Sequence, residues 1–275
     1  MNKRKIVSFV QNQLNDRYST KLTVDGNAGE ATMTALRKVS AIPGDYSKGR
    51  QIIAFIQYLT HLEASIESIV IDGYVGPDTE NAIEQLLSIE ATGEPNYWRG
   101  TSKDRFGHFD RIKATIDESG VDWPEEKDLE KFYGEAGTGW TRMNLPYKMK
   151  LAWNTSATVN KITIHRKIKP HAERMFEEVL GKYGHEQIQE LGLDLYAGSA
   201  VVRRIRGGDR LSSHSYGCAI DINSADNRLR WNKDRATLAG PEYEDFWAAV
   251  YRNGGRSLGI ERNYDFMHFG WYTYR

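Results

Sequence analysis

The stretch Ser212-Ser213-His214-Ser215-Tyr216-Gly217-Cys218-Ala219-Ile220-Asp221 carries an imidazole and a carboxylate on either side of a glycine. Side chains alternate faces along a strand. A strand over 218–223 therefore puts Ala219, Asp221 and Asn223 on one face and Cys218, Ile220 and Ile222 on the other. The apolar face can pack on a core, which leaves the carboxylate beside small neighbours with room for an ion. Gly217 permits the sharp turn that folds His214 back toward Asp221. Near the other end of the sequence, Asp265-Phe266-Met267-His268-Phe269 supplies a second imidazole. Imidazole nitrogen and carboxylate oxygen bind zinc at roughly 2.0–2.2 Å, and catalytic zinc sites combine three protein ligands with an open fourth position. His214, Asp221 and His268 meet that count. A regular strand would point Asp265 and His268 apart, so a turn or strand start is expected there. It would bring Asp265 to the side of the site without making it a ligand.

These residues need elements to position them. Helical periodicity runs over 170–192, with Ala172, Met175, Phe176, Val179 and Leu180 forming one apolar stripe. A second helix is expected over 242–252, stopped by Asn253-Gly254-Gly255. Strand-like runs occupy 161–165, 201–205, 218–223 and 267–274. Short strands alternating with helices predict an α+β domain, 120–275, with a small, mostly antiparallel sheet. The preceding stretch, 91–119, mixes glycine, proline, charges and aromatics and reads as a linker with a helix around 110–118.

At this point the sequence resembles a known family. Ser-x-His-x-x-Gly-x-Ala-x-Asp, met by Ser212, His214, Gly217, Ala219 and Asp221, followed by Asp-x-x-His at Asp265 and His268, looks like the D-alanyl-D-alanine carboxypeptidase and L-alanyl-D-glutamate endopeptidase family. These zinc peptidases include vancomycin-resistance carboxypeptidases and several phage endolysins. Phe132-Tyr133-Gly134, Leu145-Pro146-Tyr147, Ala152-Trp153 and Arg203-Arg204-Ile205-Arg206-Gly207-Gly208 look like the endopeptidase branch. The resemblance implies zinc on His214, Asp221 and His268, with Asp265 as the acid/base that moves the proton of the attacking water. It also implies an arginine that stabilises the oxyanion or holds a substrate carboxylate, at Arg203 with Arg206 in reserve, and a hydrogen bond from Ser212 to a ligand or the substrate. Some relatives carry a further histidine two positions after the last ligand; here Gly270 stands there.

An internal repeat marks the other end. Val24-Asp25-Gly26-Asn27-Ala28-Gly29-Glu30-Ala31-Thr32 matches Ile71-Asp72-Gly73-Tyr74-Val75-Gly76-Pro77-Asp78-Thr79, each preceded by an apolar residue and a glutamine, Val10-Gln11 and Ile56-Gln57. The glycines suit tight turns, and Thr32 and Thr79 stand where helix N-caps would. Each copy reads as helix, Asp-Gly turn, capped helix, making 1–90 a small all-α domain. The pattern resembles the peptidoglycan-binding domain that accompanies many wall hydrolases, apart from a longer stretch between the two turns. That resemblance implies bacterial peptidoglycan as a partner.

Composition narrows the alternatives. The 275 residues are 40% hydrophobic, enough for a packed core, and the 37 basic and 37 acidic side chains cancel. Residues 1–90 hide no basic excess, so neither nucleic acid nor an anionic membrane is an expected partner. The single cysteine, Cys218, excludes an internal disulfide and any multi-cysteine zinc site. The apolar run after Lys3-Arg4-Lys5 stops at Gln11, short of the roughly 7–15 residues of a signal peptide core. A soluble monomer made in a cytoplasm and acting on the wall after release is expected. That suits a phage endolysin let out through a membrane pore made by another protein. The enzyme reading is an endopeptidase acting on wall stem peptides, at the L-Ala–D-Glu bond, or a D-Ala-D-Ala carboxypeptidase using the same metal chemistry. The reading from another class is a non-catalytic wall-binding protein. His61, His108, His165, His171 and His185 lack partners at metal spacing. Trp231, Trp247, Trp271 and Tyr272 read as core before they read as groove.

Overall fold

The computed structural model describes residues 3–96, 106–205 and 208–274. The chain divides into two units, Met1–Trp98 and Arg99–Arg275. In the first unit one device occurs twice. Helices α1 (Lys3–Tyr18) and α2 (Glu30–Leu36) flank the first Asp-Gly turn; α3 (Lys48–Leu62) and α4 (Pro77–Thr92) flank the second. A buried glutamine on the earlier helix grips each turn. Gln11 Oε1 accepts the N–H groups of Asp25 at 3.1 Å and Gly26 at 2.9 Å, while its Nε2 donates to Asp25 Oδ1, the Asn27 carbonyl and Thr32 Oγ1. Gln57 makes the same five bonds with Asp72, Gly73, Tyr74 and Thr79. Backbone groups turned away from water need partners, and one amide supplies them here. The Gln11 amide, with help from Asn27, holds the Asp25 carboxyl down at about 2.

The threonines are not N-caps, contrary to expectation. Gly29 and Gly76 take those positions, and Thr32 and Thr79 lie inside the first helical turns. Each hydroxyl instead donates back to the turn, at the Asn27 or Tyr74 carbonyl, and accepts from the glutamine. Both turn glycines have positive φ, and a Cβ on Gly26 or Gly73 would come within 2.9 or 2.7 Å of a helix carbonyl oxygen. Val10, Leu14, Met33, Leu36, Phe55 and Ile56 fill the core between the helices.

The second unit begins earlier than the sequence suggests. Helix α5 (Gly107–Lys113), inside the stretch read as linker, buries Ile112, bonds His108 to the Ala239 carbonyl and pairs Arg111 with Glu244 through both carboxylate oxygens. After α6 (Leu129–Tyr133) comes a long hairpin, β1 (Trp140–Leu151) and β2 (Asn154–His165), then α7 (Lys169–Glu190) and β3 (Leu195–Gly198). β4 (Ala219–Ile222), α8 (Glu244–Arg252), β5 (Arg256–Ser257), α9 (Leu258–Arg262) and β6 (His268–Gly270) complete it. The strands form one mixed sheet in the order β2-β1-β3-β4-β6-β5, in which only β1 and β3 pair in parallel. The result is an α/β arrangement compatible with the expected α+β class.

Helix α7 lays the expected stripe against the hairpin: Ala172, Met175, Phe176 and Val179 are buried against Met143, Met149, Ile162 and Ile164. Its helical dihedrals break at Gly184, with φ 67° and ψ 170°. Residues 201–205 form no strand. They lie beside a 3₁₀ turn, Ser213–Tyr216, with the Val201 N–H donating to the His214 carbonyl and an isolated bridge between Arg204 and Leu211. The expected strand 267–274 is regular only over β6. Trp247 and Trp271 are wholly buried and each indole N–H meets a carbonyl, of Leu238 and Asn253.

Burial sets a pH dependence for this unit. His165 and His171 titrate below the ordinary histidine range, chiefly because burial disfavours their charged forms. The folded state then binds fewer protons than the unfolded chain. Stability is complete above the unfolded value of about 6.5 and falls as the pH drops through it. Urea midpoints of the second unit should decline between pH 7.5 and 5.5; a midpoint that stays level would contradict this.

Candidate metal centre

Two strands and one turn bring the ligand candidates together. β4 and β6 pair antiparallel with Asp221 directly opposite His268, so both side chains project from the same face. The 3₁₀ turn carrying His214 ends at Gly217, whose left-handed φ of 67° swings the chain into β4. No Cβ fits there: it would lie 2.9 Å from the His165 backbone nitrogen and from the Trp140 ring. The Gly217 carbonyl accepts the His165 N–H at 2.7 Å, tying the turn to the end of β2.

The donor atoms converge. His214 Nε2 lies 3.2 Å from His268 Nδ1 and 3.2 Å from Asp221 Oδ2, and His268 Nδ1 lies 2.8 Å from Asp221 Oδ1. Each ring has a partner on its far side. His214 Nδ1 is 2.6 Å from the Ser199 carbonyl, which only accepts, so Nδ1 carries the proton and Nε2 presents a lone pair. The Tyr272 hydroxyl lies 2.8 Å from His268 Nε2 and donates to Ser213 Oγ, so this ring too is held from its far side. Ser213 Oγ also lies 3.3 Å from that Nε2. His214 Nε2, His268 Nδ1 and the Asp221 carboxylate therefore face one point. Three tetrahedral donors at roughly 2.0–2.2 Å from one ion stand roughly 3.3–3.6 Å apart, a little wider than the 2.8 to 3.2 Å here. The residues fit a metal ion, and among the described residues this is the one group of histidine, cysteine and acidic side chains so disposed.

The electrostatics agree. Burial alone would raise the Asp221 carboxyl, but charge and hydrogen bonds from the His214 and His268 rings in their protonated form outweigh it and lower it. Burial depresses His268, favouring the neutral imidazole that a metal needs, and the Arg203 charge adds to this while Asp221 opposes it. His214 and His268 are almost wholly enclosed, and the Asp221 side chain, 15% exposed, is the open side.

The other expected site residues lie as follows. Asp265 is buried at positive φ, and its carbonyl accepts the His268 N–H at 3.0 Å in a turn that starts β6, as the offset required. Arg203 is exposed. Its backbone is bracketed by Ser215, whose Oγ accepts the Arg203 N–H and donates to the Arg203 carbonyl, and by the Ser212 N–H. Arg206 lies outside the described residues. Ser212 is buried at the start of the 3₁₀ turn, but the hydroxyl that reaches the ligands is that of Ser213. Sequence reasoning missed Ser213, the Ser199 carbonyl and Tyr272. Gly270 has no room for a side chain: a Cβ would lie 2.4 Å from the Tyr272 ring and 2.9 Å from the Cys218 carbonyl. Other histidines make ordinary bonds, His165 to the Tyr133 carbonyl and His61 to that of Ile69. Glu261 accepts from Tyr251 at 2.7 Å.

The partners behind a ligand fix its ring and raise its basicity, and losing one weakens metal binding by about 10–100-fold. Tyr272→Phe should lower zinc affinity by that factor with little change in secondary structure, read by competition with a chelating dye. Unchanged affinity would remove Tyr272 from the site.

No family model matches the chain, and no curated protein or solved structure is found to match it.

Proposed function

We propose that this chain is a zinc-dependent peptidoglycan hydrolase, an endopeptidase acting on wall stem peptides at the L-Ala–D-Glu bond. The observation that carries the reading is the convergence of two imidazole nitrogens and one carboxylate on a single point, with the opposite ring nitrogens already engaged. Zinc held by His214, Asp221 and His268 would supply Lewis-acid polarisation of the scissile carbonyl and a water of lowered pKa. Asp265, fixed by the turn that begins β6, takes the proton of the attacking water and delivers it to the leaving amine. Arg203, whose charge reaches His268, holds a substrate carboxylate or the developing oxyanion. Ser199 holds the His214 ring, and Tyr272 and Ser213 the His268 ring, each from the side away from the site.

The first unit serves as the wall-binding module, and the whole protein works as an endolysin that reaches the wall after release. Support for that part is the paired glutamine-gripped turns, together with the sequence resemblance. Mass spectrometry of peptidoglycan digested by the zinc-loaded protein, with His214→Ala as the blank, tests the reading. New N-terminal D-glutamate or D-isoglutamine ends are expected. Free D-alanine as the sole product would replace the endopeptidase by a carboxypeptidase. Retention on walls with no soluble product would leave only a binding protein.

A further inference from the structure

The two turns of the first unit share a scaffold but differ in what they display. At the second, the Arg50 side chain runs beneath the turn: a Cβ on Gly73 would lie 2.4 Å from Arg50 Cγ. The guanidinium carbon stands 3.7 Å from the Tyr46 ring centroid and 4.3 Å from that of Tyr74. Its Nε donates to the Asp72 carbonyl at 2.9 Å. Two aromatic rings and one backbone carbonyl thus hold the group. The remaining edge, with two terminal nitrogens, has no protein acceptor among the described residues. At the first turn Asn27 replaces Tyr74, and its amide is bound to Asp25.

A guanidinium pre-ordered between two rings loses little rotamer freedom on binding, and its planar fork matches a carboxylate through two parallel N–H bonds. Tyr74 is 62% exposed and Val75 beside it is 39% exposed, giving the anion a small apolar neighbour. We propose that Arg50, clamped by Tyr46 and Tyr74, is a binding site for a carboxylate carried on a small apolar residue, such as the free C-terminus of a peptide. The site belongs to the second turn alone and does not depend on the hydrolase reading.

The test is an amide-resolved NMR titration of the full chain with three probes: N-acetyl-alanyl-alanine, its C-terminal amide and inorganic phosphate. Saturable shifts at Gly73 and Tyr74 are expected with the free carboxylate, with affinity for the amide weaker by at least about tenfold. Arg50→Lys keeps the charge but loses the stacked fork and should weaken binding by at least about tenfold. Tyr74→Ala leaves the Arg50–Asp72 bond in place, removes one ring and should also weaken binding, by at least about twofold. It decides the matter should Arg50→Lys fail to fold. Equal binding of acid and amide, tighter binding of phosphate, equal shifts around Gly26, or full binding by both variants would each overturn the proposal. None of these outcomes bears on hydrolysis by the second unit.

Discussion

Asp221→Asn should bind zinc at least about a hundredfold more weakly than the parent protein and lose hydrolysis with it. The parent site would set one full negative charge against an ion in a nearly enclosed space, where little water screens it. Asparagine keeps the shape but removes the charge, and removing one partner of a buried ionic interaction costs about 3–5 kcal/mol. A ligand that binds only the folded state stabilises it, by about 2.7 kcal/mol at a hundred times its dissociation constant. Zinc should therefore raise the unfolding temperature of the second unit in the parent protein and leave that of Asp221→Asn unmoved. Isothermal titration and thermal unfolding, each with and without zinc, read both effects. An asparagine variant that still binds zinc at parental strength would remove Asp221 from the ligand set and take the hydrolase proposal with it.

Gly217→Ala should cost the second unit about 2–5 kcal/mol and empty the site as well. The left-handed φ charges an alanine about 1–2 kcal/mol, and forcing a methyl into filled space adds about 1–3 kcal/mol. The space is filled by backbone and an indole, neither free to swing aside: the nearest atoms are the His165 nitrogen and the Trp140 ring, both at 2.9 Å. Relief would have to come from pulling the 3₁₀ turn away from β2. That would lengthen the bond between the Gly217 carbonyl and the His165 N–H and carry His214 away from Asp221. Denaturant unfolding should show a shifted transition for the second unit and an unshifted one for the first. A loss under about 0.5 kcal/mol, the range of ordinary surface substitutions, would contradict the argument.

Much of the site was legible because its chemistry is local. His214, Gly217 and Asp221 fall in one short segment, and the offset of Asp265 from His268 already demanded a turn. What failed to show follows a pattern. The hairpin strand β1 alternates cleanly, with Met143, Leu145, Tyr147 and Met149 buried, but Pro146 interrupts it and argues against a strand. The structure accommodates the proline with a register shift between Asn144 and Met149. The Ser199 carbonyl carries no residue-type signal at all. Ser212 fits the spacing of the motif, but the tight turn aims the Ser213 hydroxyl at His268, which residue type alone does not reveal. Gln11 and Gln57 were visible as repeats, yet their grip on the turns, and the use of Thr32 and Thr79 as part of it, depends on contacts between separated segments.

The pairing of Asp221 with His268 across two short strands also decides how the centre can fail. Successive residues of a strand face opposite ways, so sliding β6 by one position would turn His268 to the far side of the sheet and bring Met267 or Phe269 to the near one. Misfolded or strained molecules would then have no third ligand, rather than a stretched one. A population of such molecules should titrate with metal as a mixture of full-strength and silent fractions, its stoichiometry falling while the affinity of the remaining sites holds constant.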